Sequence, residues 1–222
     1  MSSTPQKPVG LIDYGMGNLG SVLNALGRLH VPARIVATPD ALADCSALIL
    51  PGVGAFGDCM KNLAAHGFVA PLRDWVLAGR PLLGICLGLQ VLCEGSQETP
   101  GVPGLGLLSV VCRRFVPAPP LKVPLIGWNP ITFPGGAAPA HPLFDGIPPA
   151  THFYFVHSYY LPSPDAAPAL ASCAAALSLH TVPYTAAIAF RHTAAVQFHP
   201  EKSQAAGLRL LKNFLSWSTA PQ

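Results

Sequence analysis

The first part of the chain alternates short, unbroken apolar runs with stretches of helical periodicity. Val9-Gly10-Leu11-Ile12-Asp13 reads as a strand, followed by glycines and a helix from Leu19 to Leu29. Ala33-Arg34-Ile35-Val36-Ala37 predicts a second strand. Leu48-Ile49-Leu50 predicts a third, running into the abrupt turn Pro51-Gly52-Val53-Gly54. A helix is expected through much of 58–78, ahead of a strand that ends at Cys86. Strands without polar alternation are buried on both faces, so this order predicts a largely parallel sheet covered by helices on each side.

Beyond Gly95 the pattern changes. Short β-like runs at Leu107–Phe115, Leu125–Trp128 and Phe153–Tyr159 are separated by proline-rich segments. No long crossover helix lies between them, so antiparallel or mixed pairing is expected. Residues 133–149 and 161–169 read as surface loops, and Ala187–Phe190 with Ala194–Phe198 as a hairpin or two adjacent strands. Leu208, Leu211 and Leu215 fall at helical spacing, and Phe214 widens that apolar stripe. With no repeat and no long linker, residues 1–222 are expected to form a single α/β domain around one substantial core.

Composition narrows the function classes. Apolar residues make up 50% of the chain and charged residues only 10%, against about a quarter charged in an ordinary soluble domain. That shortage fits a surface covered by a partner, and equally a drift toward alanine and proline. The net charge of +3 comes with no basic run interleaved with aromatics, which argues against nucleic-acid binding. No stretch reaches the roughly 18 apolar residues that span a bilayer. Asp13 interrupts the first apolar run, so no signal-peptide core is expected there, and a cytoplasmic location is. The six cysteines (45, 59, 86, 93, 112 and 173) include no close pair and read as reduced thiols, most of them small core residues.

Candidate chemistry centres on Leu82-Leu83-Gly84-Ile85-Cys86-Leu87-Gly88-Leu89-Gln90. A parallel sheet places its ligand crevice at the carboxyl ends of its strands, where Cys86 would face it. Gly84 and Gly88 leave room for a tight, strained strand-to-helix connection. The following helix N-terminus would favour a thiolate and supply backbone amides. Taken alone, Gly-x-Cys-x-Gly also fits a buried structural cysteine. The downstream segment Val196-Gln197-Phe198-His199-Pro200-Glu201 changes the balance. A strand broken at Pro200 puts His199 at its carboxyl end, with Glu201 placed to orient the imidazole. The bland reading is a polar loop with a surface ion pair. Zinc ligation by Cys86 and His199 is disfavoured, because no second cysteine or close histidine completes a set. In the functional reading, Gly52-Val53-Gly54 places the Val53 N–H beside Cys86. With the Leu87 N–H it would form an oxyanion hole; a plain strand-ending turn is the alternative.

Gly15-x-Gly17-x-x-Gly20 has the spacing of a dinucleotide-binding turn. The acidic residue needed at the end of the second strand is missing: that position reads Val36-Ala37-Thr38, and Asp40 lies beyond Pro39. No redox cofactor is therefore expected. Tight strand–helix packing or a partner-facing loop explains these glycines better.

Nearly the whole chain resembles the class I glutamine amidotransferases of the triad type, and within them the glutaminase subunits of imidazole glycerol phosphate synthases. The resemblance rests on Ile12-Asp13-Tyr14-Gly15-Met16-Gly17-Asn18-Leu19, Pro51–Gly54, Gly84–Gln90, Gly127-Trp128-Asn129, Phe155-Val156-His157-Ser158-Tyr159-Tyr160 and Gln197–Ser203. It implies a three-layer α/β/α sandwich and a triad of Cys86, His199 and Glu201. Gly52 and Val53 match the oxyanion strand. Gln90 and Glu98 fall where the substrate, L-glutamine, is held, and the backbone of His157-Ser158-Tyr159 would clasp its amino-acid end. The implied partner is a (β/α)8 cyclase subunit in a heterodimer, which receives the ammonia in histidine biosynthesis. The chain departs from the family at Leu125, just before Gly-Trp-Asn where histidine is usual. It also has Gly20 in place of a basic residue and Ala195 in place of glycine. Two other readings stand beside this one: a catalytically silent scaffold for the cyclase, and a cysteine amidase or peptidase with another substrate.

Overall fold

The computed structural model describes residues 7–136, 139 and 141–218. Five parallel strands form one half of the sheet: β1 (Val9–Ile12), β2 (Ala33–Val36), β3 (Ala47–Gly52), β4 (Leu82–Cys86) and, from late in the chain, β12 (Thr193–Val196). Their order is β2-β1-β3-β4-β12. The other half continues antiparallel through β11 (Pro183–Phe190), β10 (Ala174–Leu179), β7 (Leu125–Thr132) and β8 (His152–His157). A side branch comprises β5 (Cys93–Ser96), β6 (Leu108–Arg114) and β9 (Tyr159–Pro162), joined to the main sheet through β9 and β11.

Residues in the parallel strands bury alternately on the two faces, and both sets are apolar. Leu11, Ile49, Leu83 and Ile85 pack with α1 (Leu19–Arg28) and α5 (Gln204–Ser218) through Val22, Leu26, Leu210 and Phe214. Ile12, Leu48, Leu50 and Leu82 pack with α2 (Phe56–Ala65) and α3 (Val69–Leu77) through Phe56, Leu63, Leu72 and Trp75. The result is an α/β/α sandwich. Each fully buried side chain of this size contributes about 1.5–3 kcal/mol, which explains why polar alternation is absent from these strands.

Four expectations change. The helix anticipated through 58–78 is two helices, because the chain turns at Gly67 in a left-handed conformation (φ 73°). There the Gly67 N–H reaches back to the Ala64 carbonyl at 3.0 Å. The segment 133–149 is not all surface: Phe133, Leu143, Phe144 and Ile147 are buried, while 137, 138 and 140 lie outside the described residues. Leu161 and Pro162 belong to β9, paired with Thr185 and Tyr184, so the loop expected at 161–169 begins later. Strands β5 and β10 were not anticipated at all.

Of the glycines in the dinucleotide-like turn, Gly17 is the one that close packing requires. Gly17 (φ 147°) lies against Pro51, where a β-carbon would stand 3.1 Å from the proline ring. Gly15 also has a positive φ (83°). Gly20 faces open space on α1.

Candidate active site

Strands β3, β4 and β12 end side by side. Gly52 pairs with Cys86 on one flank, and Val196 pairs with Ile85 on the other, so Gln197 follows alongside the cysteine. Cys86 adopts φ 57° and ψ −107°, a conformation that L residues avoid unless the surroundings impose it. Those surroundings are glycines. A β-carbon at Gly88 would stand 2.0 Å from the Leu50 carbonyl oxygen, and one at Gly84 would stand 2.6 Å from the Gly88 oxygen. Only bare backbone lets the chain turn this tightly from β4 into the segment that follows it, pressed against β3. The helix that follows, α4 (Leu87–Gln90), is a single turn, too short for the dipole expected from a full helix. What it offers near the sulfur is local backbone N–H groups.

His199 enters from the end of β12, three residues past its last paired position, Val196. Its N–H donates to the Tyr154 carbonyl at 2.9 Å. Its own carbonyl accepts the Ser203 hydroxyl at 2.6 Å, while that hydroxyl oxygen accepts the Tyr154 N–H at 3.0 Å. The backbone on both sides of the imidazole is thereby fixed. Glu201 lies in the short turn Pro200–Lys202, and its Oε1 stands 2.8 Å from His199 Nδ1. Both side chains are almost wholly buried, so the bland reading of a surface ion pair does not hold.

Burial on its own would lower the His199 pKa. Hydrogen bonding to Cys86 and Glu201, and the charges of both, outweigh it and raise the value to about 10. The ring nitrogen opposite Glu201, Nε2, is buried and completes no hydrogen bond of standard geometry, although the Cys86 sulfur is near enough to act on the ring. An imidazole held by a carboxylate at one nitrogen, with the other directed to a sulfur, can move a proton between that sulfur and a bound molecule.

Cys86 and His199 share a cavity of about 300 Å³ with Val53, Leu87, Gln90, Glu98, His157, Ser158 and Tyr159. Two of the anticipated residues do not line it. Gly52 lies beneath, where a β-carbon would strike Leu87 and the Tyr14 hydroxyl at 2.8 Å. Glu201 stands behind His199. Gln90 donates its amide to the Tyr159 carbonyl (2.9 Å) and to Gln197 Oε1 (3.0 Å). The Glu98 carboxylate accepts the Phe56 N–H at 2.7 Å, so it caps the start of α2 as well as lining the cavity.

His157 is a different case. Its Nδ1–H donates to the Tyr159 carbonyl at 2.9 Å, and its ring packs among Phe115, Phe155 and Tyr184. Burial depresses its pKa to about 3, so the ring is neutral. Leu125 pairs opposite it across β7 and β8. Ala195 is accommodated because its neighbour on β4 is Gly84, where a β-carbon would come within 3.0 Å of the Ala195 methyl.

Sequence reasoning missed two contributors. Gln197, fully buried, points its amide nitrogen at the Cys86 sulfur at 3.8 Å. Tyr14 donates to the Pro51 carbonyl (2.8 Å) and accepts the Cys59 thiol (3.2 Å), bracing β3 from below. Burial raises the proton affinity of Tyr14 and pushes the Cys59 thiol up to about 12, so both stay protonated. A polar residue inside an otherwise apolar run, as at Val196-Gln197-Phe198, is the signal that could have found the first.

The profile of the class I glutamine amidotransferases matches residues 10–217. The chain belongs to this family. Among amidotransferase relatives, the chain is 46% identical to the imidazole glycerol phosphate synthase subunit HisH of Methylococcus capsulatus, over 94% of this chain and 96% of that one. It is 42% identical to the corresponding subunit of Deinococcus radiodurans, over 96% and 97% of the two chains. Solved structures share the amidotransferase fold. A crystal structure of a glutamine amidotransferase superposes with a TM-score of 0.68 at 20% identity, covering 96% of this chain and 99% of that one. A glutamine amidotransferase from Thermotoga maritima gives 0.63 at 14% identity, over 98% and 100%. Among the described residues of this amidotransferase, no helix is long and apolar enough to cross a membrane.

Proposed function

We propose that this glutamine amidotransferase is a single glutaminase domain that hydrolyses L-glutamine through Cys86, His199 and Glu201. We propose further that it passes the ammonia to a (β/α)8 cyclase subunit of imidazole glycerol phosphate synthase. The observation that carries the reading is the buried His199–Glu201 pair, 2.8 Å apart, sharing one cavity with a cysteine in a strained strand-to-helix turn.

The Cys86 sulfur attacks the side-chain carbonyl carbon of glutamine, and the carbonyl electrons move onto oxygen. N–H groups of Val53 and Leu87 receive that charge; removing one such donor typically costs about 10²–10³ in rate. His199 gives its proton to the departing nitrogen, which leaves as ammonia while a γ-glutamyl thioester remains on Cys86. His199 then takes a proton from water, whose oxygen displaces the sulfur and releases glutamate. Glu201 keeps the ring oriented and stabilises its protonated form. Gln90, Glu98 and the backbone at His157-Ser158-Tyr159 hold the amino-acid end of the substrate.

The cyclase assignment rests on the identity to the HisH subunits and on an apolar face left open at β7 and β10. Ile126, Trp128 and Leu179 are exposed there, and the Leu179 carbonyl accepts the Asn129 amide at 2.8 Å, so the two strands present one surface. A face of this kind fits the low charge of the chain and a protein partner. Ammonia passed directly across such an interface escapes protonation in bulk water. There it would join the phosphoribulosyl aminoimidazole carboxamide intermediate to give imidazole glycerol phosphate and the aminoimidazole carboxamide ribotide.

The test is a glutaminase assay of the purified chain with and without its cyclase and the nucleotide substrate. Turnover is expected to be weak for the chain alone, to rise with both additions, and to be absent with peptide amides. Full activity alone, or no activity in the complex, overturns the proposal; the second outcome would leave only a scaffold for the cyclase.

A further inference from the structure

We infer that Gln197 is a positioning residue for Cys86, presenting a side-chain N–H to its sulfur and tying the sulfur to the wall of the substrate cavity. This deepens the proposed function and rests on Cys86 being the nucleophile.

The orientation of the amide follows from its neighbours. The Tyr159 carbonyl can only accept, so the Gln90 atom 2.9 Å from it is the nitrogen. That nitrogen lies 3.0 Å from one terminal atom of Gln197, which must therefore be the oxygen. The remaining Gln197 atom, 3.8 Å from the Cys86 sulfur, is the nitrogen. A flipped Gln197 would set two donors against each other where Gln197 itself is fully buried. One backbone carbonyl thus dictates that the sulfur meets a donor.

A donor at this place acts on charge at sulfur. It stabilises the thiolate relative to the thiol, and it does so again when the thioester is hydrolysed. In that step the bond between the glutamyl carbonyl carbon and the sulfur breaks, and its electron pair goes to sulfur. Water supplies the new carbon–oxygen bond, and its proton passes to His199. The Gln197 N–H meets the returning negative charge.

Two replacements separate this role from simple packing. Gln197→Met keeps the volume and removes both hydrogen bonds. Gln197→Glu keeps an acceptor for Gln90 and turns an oxygen, in place of the N–H, toward the sulfur. The readout is the rate of Cys86 carbamidomethylation by iodoacetamide as a function of pH, on the full chain, localised by peptide mass with Cys86→Ala as control. The midpoint is expected to move up by about one pH unit in Gln197→Met and further in Gln197→Glu, as befits loss of a hydrogen bond to a charged group. Glutaminase kcat should fall about tenfold with KM little changed. Should Gln197→Met not fold, Gln197→Glu carries the comparison. Midpoints equal to wild type in the folded variants overturn the inference and leave the nucleophile standing. A wild-type Cys86 that does not react, with glutaminase activity surviving in Cys86→Ala, overturns both.

Discussion

Gly207, in the first turns of α5, passes so close beneath Pro200 that a β-carbon at 207 would stand 1.8 Å from the Pro200 carbonyl oxygen. Pro200 is the residue between His199 and Glu201, so the helix sets the spacing of the ion pair. A methyl group here has backbone on its far side and nowhere to go. Gly207→Ala is expected to destabilise the fold by about 1–3 kcal/mol and to lower kcat by more than the unfolded fraction accounts for. Urea unfolding together with steady-state glutaminase kinetics checks this. Lost stability with unchanged kcat would show that the helix does not govern the pair.

The same pair predicts a pH dependence of stability. His199 holds its proton up to about pH 10 in the folded chain, against 6.5 as the ordinary value. A group with a raised folded pKa contributes fully below the unfolded value and loses that contribution as pH rises through the folded one. Stability should therefore fall between about pH 6.5 and pH 10. Glu201→Gln removes one of the charges that sustain the shift and should flatten the decline. Urea midpoints across that range, for wild type and variant, give the comparison; equal slopes would mean that Glu201 does not hold the proton on the ring.

Glu98 has two tasks that substitution can separate. Glu98→Gln keeps an acceptor for the Phe56 N–H but loses the charge offered to the cavity. It should raise the KM for glutamine at nearly unchanged melting temperature. Glu98→Ala should raise KM similarly and also cost about 1 kcal/mol of stability through the lost helix cap. Thermal melts alongside glutamine saturation curves distinguish the two. An unchanged KM in both would confine Glu98 to the cap.

Much of the parallel half could be read from the chain because its strands are apolar on both faces and end in glycine-rich turns. Cys86 and the His199–Glu201 segment were legible for the same reason: each stands at a strand end beside residues with specific backbone consequences. The second half resisted. Ala174-Ala175-Ala176 gives no contrast between faces, so β10 became visible only through its pairing with β11. The break at Gly67 and the short strand β9 depend on contacts that local periodicity does not encode. Gln197 carried a local signal, but its partners do not sit near it in sequence: Cys86 is 111 residues away and Gln90 is 107. Tyr14 likewise meets Cys59 only through folding. The resemblance placed Gln90 against the substrate, yet the amide nitrogen is already bonded to Tyr159 and Gln197, which leaves only its oxygen to a ligand.

Glutamate release by Cys86→Ala, bound to the cyclase and saturated with L-glutamine, is the most direct measurement of whether sulfur chemistry drives this protein. The expected result is no release above background, while the same complex still converts the nucleotide when ammonium salt replaces glutamine. Glutamate formed at anything near the wild-type rate would contradict the role of Cys86.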